Sequence, residues 1–93
     1  MDYTTAPFEI LFLYYGRQYR ARVQQVFISD LNERFIVVGG TKQIEIISDR
    51  PFLRRTNSKK KINFQAINFN ADYMQLAVTI IGEIREHIRK IGC

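Results

Sequence analysis

From Phe8 to Phe27 apolar and polar residues alternate in two runs, FEILFLYY and QYRARVQQVF, separated by Gly16-Arg17. Alternation with a period of two marks strands that bury one face. A two-residue loop at Gly16-Arg17, with glycine in the positive-φ first position of a type II′ turn, joins the runs into a β-hairpin and sets Tyr15 opposite Gln18. Ile10, Phe12 and Tyr14 then share a face with Tyr19, Ala21 and Val23. Glu9, Leu11 and Leu13 share the other with Arg20, Arg22 and Gln24. A slip of one residue would mix the two sets.

The run RFIVVGGTKQIEIIS reads as a second hairpin, turning at Gly39-Gly40 or at Gly40-Thr41. Both choices put Phe35, Val37, Ile44 and Ile46 on one face and Arg34, Ile36, Val38, Gln43, Glu45 and Ile47 on the other. Placing Arg34 opposite Glu45 favours Gly39-Gly40, although such an exposed cross-strand pair contributes only about 0.2 to 1 kcal/mol.

Between residues 70 and 91 the period becomes helical, with Met74, Ala77, Ile81, Ile84, Ile88 and Ile91 spaced by three and four and Val78 and Ile80 widening the stripe. Asn68 or Asn70 suits the N-cap and Asp72 the positive helix start, while Arg85, Arg89 and Lys90 suit its negative end. So broad a stripe needs a sheet to cover it, and Ile81 and Ile84 are expected at its buried centre.

These elements predict one α+β domain over residues 1–93, a size suited to a single compact unit. Two N-terminal β-hairpins (8–48) and a basic loop or third hairpin (49–63) supply an antiparallel sheet of four to six strands. A C-terminal α-helix (70–91) packs across one face. The other face presents Leu11, Leu13 and Tyr15 beside Arg20 and Arg22, with Ile36, Val38 and Ile47 from the second hairpin, more apolar surface than free exposure to water requires.

With 46% hydrophobic and 13% aromatic residues the chain is too apolar for intrinsic disorder, and its apolar runs fall short of a membrane span. The acid-bearing start, MDYTTAPFEI, lacks the basic region of a signal peptide, which predicts a cytoplasmic protein. Charge is distributed unevenly. The stretch RPFLRRTNSKKK, residues 50–61, holds six of the fourteen Lys and Arg residues and no acid, leaving eight basic against nine acidic residues elsewhere. The net charge of +5 therefore belongs to one segment.

That segment is either a loop, which Pro51 and Asn57-Ser58 suit, or a hairpin turning at Asn57-Ser58. The hairpin would set Arg54 opposite Lys61 and Arg55 opposite Lys60, a like-charge arrangement that an anion would relieve. Arg50, Arg54, Arg55, Lys59, Lys60 and Lys61 are accordingly the candidate contacts for nucleic acid or another polyanion, with Phe52 and Phe64 as flanking platforms for bases. A solvated loop that keeps the protein soluble is the competing reading. The motifs of established nucleic-acid modules are missing: no RNP1-type aromatic motif, no GxxG loop, no recognition-helix pattern.

Catalytic signals are weak. His87 follows Glu83 by four residues, an ordinary helix-surface pair. Metal binding would need further ligands, and Cys93, the sole cysteine, lacks the fixed base a thiol nucleophile requires. Glu9 and Glu45, the acids placed within strands, face arginines. No glycine-rich phosphate loop is present. The sequence thus predicts a non-enzymatic interaction domain with no catalytic residue, metal or cofactor. Its first partner is a protein, a second copy above all, met through Leu11, Leu13, Tyr15, Arg20, Arg22, Ile36 and Val38; nucleic acid or another polyanion is the alternative.

Overall fold

A computed structural model describes residues 4–67 and 73–91. Five antiparallel strands form one sheet in chain order: β1 (Phe8–Tyr14), β2 (Arg17–Ile28), β3 (Glu33–Gly39), β4 (Lys42–Ser48) and β5 (Phe64–Ile67). A short helix, α1 (Arg50–Arg55), follows β4, and α2 (Met74–Lys90) lies across one face, reaching from β1 to β5. This is the predicted α+β architecture.

Both hairpins keep their predicted faces; the first shifts its turn, and the second takes the less favoured of its two predicted turns. In the first, Tyr14 pairs with Arg17 and Phe12 with Tyr19, so the loop is Tyr15-Gly16 and not Gly16-Arg17. Tyr15 and Gly16 both have positive φ, 52° and 74°. That is the type I′ geometry, whose twist matches that of paired strands. In the second hairpin Gly39 pairs with Lys42, which makes Gly40-Thr41 the loop, with Gly40 at φ 60°. Arg34 therefore lies opposite Ile47 and reaches Glu45 diagonally, with 3.4 Å from Nη1 to Oε2. Each shift changes the pairing by two residues, which leaves every side chain on its predicted face.

A bulge at Val26 alters β2 in a way its alternation did not reveal. Gln25 pairs with Phe35, yet Phe27 pairs with Arg34, so one residue is inserted between them. Beyond the insertion the parity reverses. Gln25 stays on the helix side, while Phe27 turns outward beneath the Arg34 guanidinium, 5.6 Å from its ring centre.

The basic segment is neither loop nor hairpin at its start. Pro51 fits the first turn of α1, where its fixed φ is helical and its missing N–H is not needed. Asn57, at φ 53°, ends the helix: its N–H bonds to Arg54 O (3.1 Å) and that of Ser58 to Leu53 O (2.8 Å), the paired bonds of a Schellman motif. Asparagine's tolerance of left-handed backbone is thus spent on stopping a helix, and the like-charge ladder of the hairpin alternative never forms. Asp49 closes the return to β5, accepting the N–H of Asn63 at 2.8 Å.

The core lies between α2 and the inner sheet face. Ile10, Val23, Phe35, Val37, Ile46 and Phe64 meet Ile80, Ile84 and Ile88 there. The buried stripe of α2 is rotated from the predicted one: Ile80 takes the central place expected of Ile81, which is half-buried, while Met74, Val78 and Ile91 are exposed. Tyr73 precedes α2 without a side-chain capping bond. Asn68, Asn70 and Asp72 lie outside the described residues. None of the described helices is long and apolar enough to cross a membrane.

The rotation sets an expected outcome for two neighbouring isoleucines. Ile84→Ala should cost about 2 to 5 kcal/mol in urea unfolding, the range for a buried isoleucine, and Ile81→Ala clearly less. Equal losses would contradict this placement of the helix.

Candidate functional site

The six cations of the basic segment do not form one group. Arg50, at the start of α1, is withdrawn into the interior with 1% of its surface exposed. Its Nη2 donates to Glu33 Oε1 at 2.6 Å and to Thr5 Oγ1 at 2.7 Å. Glu33 is fully buried and also accepts from Ser48 Oγ (2.7 Å) and Gln25 Nε2 (2.8 Å). The Arg50 N–H donates to Ser48 Oγ at 3.1 Å, and the Thr5 N–H to Gln25 Oε1 at 3.1 Å. Thr5, Gln25, Glu33, Ser48 and Arg50 are thus one buried polar cluster, drawn from the N-terminal segment, three strands and α1. Arg50 is a structural cation here, not a surface contact for an anion.

The other five remain on the surface. Arg54 and Arg55 sit in the last turn of α1, where positive charge complements the helix end. Arg55 lies over the Phe52 ring at 5.4 Å, and Lys59, Lys60 and Lys61 follow in the exposed connection to β5. That connection is tied to α2 by Arg85, whose Nη1 donates to Ile62 O at 2.9 Å. Of the two expected aromatic platforms only Phe52 is exposed; Phe64 is buried, with the Arg85 guanidinium 4.9 Å from its ring centre.

The outer sheet face carries most of the residues assigned to it. Leu11 is 49% and Leu13 67% exposed on β1, Val38 is exposed on β3, and Ile36 is half-buried beside it. Arg20 and Arg22 are exposed on β2, with Arg20 Nε 3.8 Å from Glu9 Oε2. Tyr15 is a correction: it belongs to the turn and packs on the Tyr14 ring, with centroids 4.4 Å apart, so it does not extend the strand ladder.

His87 makes a stack in place of the expected surface pair with Glu83. Its ring lies 3.6 Å from that of Phe8, the planes 8° apart. Lost solvent, and then the charge of Lys90, hold its pKa below the ordinary 6.5. Among the described residues no three His, Cys, Asp or Glu side chains converge as a metal site would require. Cys93 lies outside the described residues. Comparison with protein-family models, with curated proteins and with solved structures finds no match to this chain.

Glu33 is the residue that sequence reasoning overlooked. It shares the inward parity of Phe35 and Val37, and an acid at such a position demands a buried cation. Removing one partner should therefore be severe, with Glu33→Gln or Arg50→Met each costing about 3 to 5 kcal/mol. In a double-mutant cycle the combined variant should lose well under the sum of the two, by about 2 kcal/mol or more. Additive losses in chemical denaturation would show that the two side chains do not stabilise each other.

Proposed function

We propose that this chain is a small, non-enzymatic protein–protein interaction domain that self-associates through its sheet, β1 of one copy pairing antiparallel with β1 of a second. The observation that carries this reading is the state of the two sheet edges. β5, at one end of the strand order, has only four residues. β1, at the other, has seven, FEILFLY, with no lysine, proline or bulge within them and with Leu11 and Leu13 exposed. Proteins that must keep an edge strand single defend it with such features.

A two-fold pairing of β1 strands uses the same patch twice and continues the sheet into ten strands. Leu11 and Leu13 of both copies then form one apolar strip on the outer face. Arg20 and Arg22 lie beside it on β2, with Ile36 and Val38 on β3 further from the seam. The acids within the strands support the non-enzymatic part of the reading, since Glu9, Glu33 and Glu45 each lie in an ion pair with an arginine. Sedimentation equilibrium should show a dimer. Leu11→Lys with Leu13→Glu should weaken it about 100-fold or more, the loss of two buried leucines per copy, without altering the melting curve. A monomeric parent at high concentration would end this reading.

One observation favours a second reading, polyanion binding. α1 ends with Arg54 and Arg55, and Lys59, Lys60 and Lys61 follow the Asn57 stop along the chain, with no acid between them in the sequence. Five phosphate contacts with a single-stranded oligonucleotide would make log affinity fall with log salt at a slope of about −3.5. Substituting Gln for Arg54, Arg55, Lys60 and Lys61 should abolish binding and leave the fold intact. Binding that survives this substitution, or is insensitive to salt, would leave the segment as a solvated surface.

A further inference from the structure

At the end of the sheet that holds both hairpin turns, a cavity of about 330 Å³ opens between α2 and the inner face. Its apolar walls are Phe12, Ile44, Leu76 and Ile80, joined by the Tyr14 and Tyr19 rings. The space has a definite origin. A Cβ placed on Gly39 would meet the Ala21 Cβ at 3.5 Å, so two neighbouring inward positions carry the smallest side chains available. One step along the same strands Val37, part of the cavity wall, pairs with Val23, and both are buried. The hollow is partly open to solvent, and its volume is about tenfold that of one water molecule. It falls at the lower end of the range for small-molecule sites.

The polar groups of the lining define the charge such a molecule would carry. They are the phenols of Tyr14 and Tyr19, the Thr41 hydroxyl and the Lys42 ammonium; among the described residues no acid lines the cavity. Arg20 borders it, but alternation turns its side chain to the opposite face, where it meets Glu9. Lys42 is held at the start of α2: its Nζ donates to Tyr73 Oη at 3.0 Å and lies 4.1 Å from that ring's centre. Loss of solvent, and next the Tyr15 phenol, raise the pKa of Tyr14, which therefore stays a neutral donor.

We propose that this cavity binds a small carboxylic acid with an apolar body, its carboxylate at Lys42 and its hydrocarbon between Phe12, Leu76 and Ile80. One ammonium with neutral hydroxyl donors suits a single negative charge better than the two charges of a phosphate monoester.

The test uses octanoate and its uncharged counterpart 1-octanol, titrated into the full chain and followed by amide shifts. Octanoate should move the amides of Ala21, Gly39, Leu76 and Ile80, and octanol the same residues with affinity about tenfold weaker or more, the weight of a charge-assisted hydrogen bond. Lys42→Gln should bring octanoate down to the octanol level. Ala21→Leu should fill the space and abolish both. Should that variant fail to fold, Gly39→Ala, whose Cβ meets only ordinary contacts, should weaken both ligands in a folded protein. Absence of shifts at these residues, equal affinity for acid and alcohol in the parent, or undiminished octanoate binding in a folded filled variant would overturn the assignment.

Discussion

The buried ion pair of Glu33 and Arg50 constrains the rest of the molecule. Two charges taken out of water carry a desolvation penalty of several kcal/mol each, offset only when geometry is good and the remaining donors and acceptors are bonded. Here Thr5, Gln25 and Ser48, residues far apart in sequence, supply some of those bonds. None of the segments can leave without exposing or orphaning a charge. The N-terminal segment is thereby fastened to the sheet, and Arg50, the second residue after β4, is drawn inward. Arg50 must point into the sheet's end, and the chain that follows is positioned to turn as α1 above it.

The bulge at Val26 belongs to the same arrangement. An unbroken β2 would continue its alternation past Gln25 and send Phe27 to the helix side, at the level where Glu33 needs polar partners. Gln25, before the insertion, is inward by its own alternation and its amide reaches Glu33; the inserted residue turns Phe27 outward against Arg34. The extra residue thus keeps an aromatic ring away from the buried polar cluster. The two sheet edges differ for similar local reasons: α1 and the Asp49–Asn63 bonds shape the approach to the short β5, while nothing in β1 interrupts its outward ladder.

Much of this fold is legible in the chain, because period-two patterns survive errors of turn. Both hairpins have loops one residue away from the favoured ones, yet Ile10, Phe12, Ala21, Val23, Phe35, Val37 and Ile46 all face the helix as their alternation requires. Less legible is whatever depends on pairing across the molecule. Pro51 and Asn57 are compatible with a loop, a hairpin or a short helix, and only the burial of Arg50, Pro51 and Leu53 selects the helix. Counting charge by segment treats Arg50 as one cation among six. Its inward role could have been sought only from Glu33, an acid sharing the parity of Phe35 and Val37. Of the candidate surfaces, the sheet face was readable from alternation, whereas the cavity depends on Ala21 and Gly39 meeting across two strands.

Burial is uneven along the sheet, and the unevenness has a direction. Val23, Phe35, Ile46, Ile84 and Ile88 are almost completely buried and lie towards the end closed by the polar cluster. Towards the turns, Tyr14, Ile44 and Leu76 are only half-buried, and Ala21 and Gly39 leave space beneath α2. A domain of 93 residues has little stability to lose, so a hollow of this size must be offset by tight packing elsewhere. The Glu33–Arg50 cluster and the isoleucines of the second half of α2 provide that packing at the opposite end of the same β3–β4 pair. Because α2 is one continuous helix from Met74 to Lys90, fixing its second half over the closed core also fixes Leu76 and Ile80 above the hollow. The open end is thus held in shape by the closed one, which keeps the space available without requiring its own lining to be densely packed.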